Sequence, residues 1–146
     1  SDIEYDEGDD QIEYDAENKQ PEGDEDGLNL EDNFLQAENS DDPIQSYKEI
    51  IELEISNSQE HKWAFKCYEK LAIIYIKKTN VGEFENSVKN IAQYYSKIED
   101  RDKQDTVREI CSEIRLLTDI KLKIDFYQIL MNNLKDNGIT REYFYV

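Results

Sequence analysis

From about residue 28 onward the hydrophobic residues return at helical intervals, and the widest apolar face belongs to Lys62–Lys78, KWAFKCYEKLAIIYIKK. On a helix, Trp63, Cys67, Leu71 and Ile74 line one flank, and Ala64, Tyr68, Ala72 and Tyr75 line the next. Lys62, Lys66, Lys70 and Lys77 share the strip that remains. A surface helix shows an apolar stripe about 100° wide. This stripe covers more than half the circumference, so the spacing predicts an inner helix packed on two sides, running from about Gln59 to Lys78.

The other elements follow from the same periodicity. Leu28 to Asn39 predicts a short helix burying Leu28, Phe34, Leu35 and Ala37. Asp42-Pro43 opens the next, because Asp accepts from the first free backbone N–H groups and Pro fits the first helical position; Gln45 would complete a capping box. That helix is expected to reach Ile55 and to bury Ile44, Tyr47, Ile50, Ile51 and Ile55, with Ser56-Asn57-Ser58 as its break. Thr79–Gly82 reads as a turn, with Gly82 free to take an unusual backbone angle. Helices are then expected over 83–98 (Phe84, Val88, Ile91, Tyr95, Ile98), over 103–118 capped by Asp102 (Val107, Ile110, Cys111, Ile114, Leu117), and over 122–136 (Leu122, Ile124, Phe126, Tyr127, Leu130, Leu134). Asn137-Gly138 is a helix stop, and Thr140 would cap a further start.

No strand pattern occurs. Two helix pairs recur at a spacing of about 40 residues, the range of helical solenoids. The expected fold is all-α: a right-handed helical-repeat (TPR-like) solenoid of antiparallel helix pairs, with a compact helical bundle as the rival.

Charge divides the chain. Residues 1–42 hold 18 acids and one base, Lys19, whereas residues 43–146 hold 17 acids and 16 bases, and the whole carries −18. Residues 1–27 are poor in aliphatic side chains and cannot bury enough apolar surface to offset their ordering entropy, so they read as a disordered acidic tail. Residues 28–146 form the expected helical domain, continuing into a longer protein. Phosphates would repel such a tail, which argues against nucleic acid as partner. Within it Ile3-Glu4-Tyr5-Asp6 returns as Ile12-Glu13-Tyr14-Asp15; Tyr5 and Tyr14 would dock on a basic, partly apolar groove, or the repeat is chance in low-complexity sequence. No apolar run reaches the roughly 18 residues of a membrane helix, and no signal peptide pattern is present, so a soluble intracellular protein is expected.

Catalytic motifs are missing from the sequence. His61 is a lone histidine read as solvated, Cys67 and Cys111 read as core thiols, and no metal-ligand spacing, phosphate loop or nucleophile motif occurs. Neither an enzyme nor a cofactor is expected. What remains is the lysine strip, with Glu69 set among its members. It is either the solvated face of a buried helix or a docking surface for an acidic protein, a polyanion or the chain's own tail.

The order of several short runs is familiar: the EYD pieces of the acidic tail, Leu30-Glu31-Asp32-Asn33-Phe34, Asp41-Asp42-Pro43, Ile51-Glu52-Leu53-Glu54, Trp63-Ala64-Phe65-Lys66, Lys78-Thr79-Asn80, Phe126-Tyr127 and Leu134-Lys135-Asp136. Together they resemble the N-terminal part of the COP9 signalosome subunit 2 family, helical-repeat proteins with a C-terminal PCI module. The resemblance implies a non-catalytic scaffold in the cytoplasm and nucleus. Its partners would be the other signalosome subunits and a cullin-RING ligase, gripped at the cullin C-terminal region and the RING subunit while another subunit removes Nedd8. Lys66 matches a lysine used at that contact; Lys62 and Lys70 join it by geometry. The PCI module lies outside this sequence, and the loop Ser56–Glu60 is longer than the family pattern. A proteasome-lid structural subunit and an unrelated helical adaptor with an acidic docking tail are the alternatives.

Overall fold

The structure, a computed structural model, describes residues 29–57 and 61–134. Among them are six α-helices and no strand: α1 Leu30–Ala37, α2 Pro43–Asn57, α3 Lys62–Lys77, α4 Val81–Tyr94, α5 Asp100–Arg115 and α6 Ile120–Leu134. The expected tail, with Tyr5 and Tyr14, lies outside the described residues, as do Leu28 and the expected helix start at Thr140.

The helix ends show why these segments fold locally. Asn29 opens α1 by accepting from the Asp32 backbone N–H at 3.1 Å. Asp42 accepts from the Gln45 N–H at 3.2 Å. The capping box is only half formed, because the Gln45 amide donates forward to Glu49 at 3.4 Å instead of reaching back. The α3–α4 junction differs from expectation. Gly82 is helical, and the left-handed residue is Thr79, at φ 54°. The Asn80 N–H returns to the Tyr75 carbonyl at 2.9 Å and the Thr79 N–H to Ile76 at 3.0 Å. This crossed pair closes a helix C-terminus around one left-handed residue. Asn80 then caps α4 by accepting from the Glu83 N–H at 3.2 Å. α5 starts three residues earlier than expected: Glu99 occupies the cap position without a side-chain bond, and Asp102 lies inside the first turn. Asp119, between the helices expected over 103–118 and 122–136, caps α6 by accepting from the Leu122 N–H at 3.2 Å.

α3 packs against α1, α2, α4 and α5, and α4 in turn packs against α6, which also meets α5. The girth of α3 is therefore used on more than one side: Ala64, Phe65, Cys67, Leu71, Ala72, Tyr75 and Ile76 are all buried. Phe84 of α4 meets Phe126 of α6 edge to face, with ring centroids 4.7 Å apart. Phe34 of α1 lies between Trp63 of α3 and Tyr47 of α2, at 5.3 and 5.8 Å. Three expected core residues are not core. Ile55 is 54% exposed, Ile124 51% and Leu35 61%. In α2 the inward position is filled instead by Glu54, which is fully buried.

Candidate functional site

The site is built on α3, and its frame depends on an acid from α2. His61 stands at the cap position of α3 and offers no side-chain bond. Glu54 supplies it from the neighbouring helix: one carboxylate oxygen accepts from the Ala64 N–H at 2.6 Å and the other from the Trp63 N–H at 3.1 Å. The first N–H groups of a helix lack intrahelical partners and carry the positive end of its dipole, so a buried carboxylate is at home there. The contact joins the last turn of α2 to the first turn of α3.

The four lysines remain on one side of α3, in different settings. Lys62 is exposed, its ammonium 5.2 Å from the centre of the Trp63 ring. Lys66 and Lys70 are half-buried. Lys70 and Lys77 line a groove of about 270 Å³ floored by Ile73 and Ile74, with Tyr47 on one wall and Glu38, Glu109 and Glu113 around the rim. The strip is thus basic at its Lys62–Lys66 end and mixed in sign at its Lys70–Lys77 end.

Glu69 does not lie on the strip but beneath it. It is buried, and it accepts a 2.6 Å hydrogen bond from the Thr106 hydroxyl of α5. Burial pushes its carboxyl above the ordinary value; the Thr106 bond and the Lys70 and Lys66 ammoniums pull it back, and Glu109 adds to the push. The folded chain therefore holds this proton to higher pH than the unfolded chain does. Stability from this group is present at low pH and falls as pH rises through the folded value. Glu69→Gln keeps an acceptor for Thr106 and removes the charge. The variant is expected to be more stable than the parent at neutral pH, by on the order of 1 kcal/mol, and equal to it at acid pH. Urea midpoints measured across pH check this; a constant difference at every pH would rule it out.

The remaining candidates separate clearly. His61, expected to be solvated, is half-buried with its ring 5.3 Å from Tyr94. Cys67 and Cys111 are free and buried. Burial, reinforced by the Glu54 charge, pushes the Cys67 thiol up to about 12. Burial likewise pushes Cys111 up to about 11, with Arg115 opposing it. Thiols held protonated in this way are packing groups, not nucleophiles. Among the described residues no cluster of three or more His, Cys, Asp or Glu side chains is placed to hold a metal ion.

Sequence reasoning missed Glu54 and Thr106. Glu54 had a signal: it falls three and four residues after Ile51 and Ile50 on the buried side of α2, and the helix that follows begins without a capping residue of its own. Comparison with protein families, curated proteins and solved structures finds no match for this chain.

Proposed function

We propose that the chain is a non-catalytic scaffold subunit of a COP9 signalosome, holding a cullin-RING ligase while another subunit removes Nedd8 from the cullin. In this reading the helices form a right-handed, TPR-like solenoid of antiparallel pairs. Successive contacts of α3 with α1 and α5, and of α4 with α6, favour that arrangement. The observation that carries the functional reading is the setting of α3. Four helices pack against it, yet its lysines stay at the surface beside a groove with an apolar floor. A helix fixed on several sides presents its remaining side chains in one geometry, which suits docking of a protein surface.

Lys62, Lys66 and Lys70 are the contact residues in this proposal, and the cullin C-terminal region with its RING subunit is the partner. The other signalosome subunits are the assembly context, in cytoplasm and nucleus. Glu38, Glu109 and Glu113 refine it: the partner surface opposite Lys70 carries basic as well as acidic groups. Changing Lys62, Lys66 and Lys70 together to Glu is expected to weaken cullin-RING binding by about tenfold or more at low salt, with helix content retained, because rim charges govern encounter and register. Unchanged affinity in a binding titration would exclude the strip as the docking surface.

A further inference from the structure

The side of α3 turned away from the lysines borders a second groove, of about 230 Å³, between α2 and α4. Three helix faces meet in it. Tyr68, Leu71 and Tyr75 come from α3, spaced three and four apart. Lys48 and Glu52 come from α2, and Glu83, Asn86 and Asn90 from α4, at the same helical intervals. The volume lies below the range of about 300–1,000 Å³ for drug-sized ligand sites and suits one long side chain. Tyr68 is held in place by stacking on Tyr94, with ring centroids 6.0 Å apart.

The polar groups of this groove lack partners. Tyr75 is only 6% exposed, yet its hydroxyl has no hydrogen-bond partner among the described residues and is not sealed from solvent, so it opens into the groove. Burial, then the Glu83 charge, pushes this hydroxyl above its ordinary value, which places Glu83 within electrostatic reach. Neither Glu52 nor Glu83 forms an ion pair among the described residues, with Lys48 or otherwise. Asn90 commits an amide hydrogen to the Asn86 carbonyl at 2.9 Å and keeps its side-chain oxygen. Two carboxylates against one ammonium, beside an amide oxygen, a phenol and an aromatic floor, call for a cation that donates several hydrogen bonds. An apolar side chain would strand these groups. An ammonium is a compact, strongly hydrated point charge. A guanidinium is planar, weakly hydrated, stacks on aromatic rings and carries five N–H donors.

We propose that this groove takes an arginine side chain presented by a partner protein. Its stem lies against Leu71 and its guanidinium beside the Tyr68 ring, with N–H groups donating to the Glu52 and Glu83 carboxylates and the Tyr75 hydroxyl. The inference does not depend on the role given to the α3 lysines, which face the other way. NMR titration of the whole chain with acetyl-Gly-Arg-Gly-amide, and with the same peptide carrying citrulline or lysine, tests it. The arginine peptide is expected to give saturable shifts centred on the side-chain amides of Asn86 and Asn90. Citrulline, nearly the same shape but uncharged, is expected to bind about tenfold more weakly, and lysine about threefold. Glu52→Gln and Glu83→Gln should each weaken the arginine peptide about threefold, and Lys48→Ala should strengthen it, with helix content unchanged. Shifts that rise without saturating, or that are as large around Glu109 and Glu113, come from the −18 charge of the chain at large and overturn the proposal. Equal binding of the citrulline or lysine peptide, or indifference to both glutamine variants, overturns it as well.

Discussion

Glu54→Ala is expected to lower the stability of the helical domain by about 3 kcal/mol, and the reason is not lost packing alone. The substitution leaves the Trp63 and Ala64 N–H groups without an acceptor in a site that the Glu54 side chain now fills completely. A buried donor left unpaired costs about 1–3 kcal/mol, and removing a helix cap costs about 1 kcal/mol even at an exposed end. Domains of this size hold only about 5–15 kcal/mol in total. Three variants separate the causes. Glu54→Leu fills most of the volume but accepts nothing, so it is expected to be nearly as unstable as Glu54→Ala. Glu54→Gln keeps one acceptor oxygen and turns its amide donors towards the second N–H, so it should fall between Ala and the parent. Urea unfolding monitored by helix content gives the order. If Glu54→Leu matched the parent, the cross-helix cap would be ruled out as the source of stability.

The same residue shows which parts of the fold were legible in the sequence. Periodicity reports which positions face inward, and it placed the helix bodies correctly because each face repeats over three or four turns. It ranks those positions by hydrophobicity, so in α2 it selected Ile55 and passed over Glu54. The partner that makes Glu54 a core residue lies nine and ten positions away, on another helix. Thr106 escaped for the same reason: its value lies in Glu69, 37 residues distant. Local chemistry was read better where the partner was local, as with Asp42. At the α3–α4 turn, Gly82 suggested the left-handed position, but the helix stop falls at Thr79, because Asn80 both ends the α3 hydrogen-bond pattern and caps α4. The lysine strip was visible as a face. The glutamates that change its character at Lys70 and Lys77 come from α5 and the end of α1, and no pattern within α3 announces them.

Phe126→Ala is expected to be the most damaging single change, at about 4 kcal/mol, since truncating a buried Phe to Ala costs about 3–5 kcal/mol. The ring has no exposed surface and meets Phe84 edge to face at 4.7 Å, joining α6 to α4. Such pairs contribute about 0.5–1.5 kcal/mol beyond the area they bury. Phe84→Ala and Phe126→Ala combined should therefore cost about 1 kcal/mol less than the sum of the separate losses, because the pair interaction can be lost only once. The melting temperature is expected to fall by about 15–30 °C, given about 4–8 °C for each kcal/mol in a domain near 100 residues. The loss should also be uneven along the chain. α3 packs against four helices, whereas the main contacts of α6 are with α4 and α5. With the Phe126 ring gone, α6 keeps only Leu130 and Leu134 fully buried while Ile120 and Ile124 are exposed, so it should detach before α3 unfolds. Native-state hydrogen exchange reads this directly. Amides of α6 should exchange through a local opening well below the global unfolding free energy, while those of α3 follow the global value. Equal loss of protection in both helices would show that α6 is not a separable edge, and that Phe84 and Phe126 hold the whole core and not one joint.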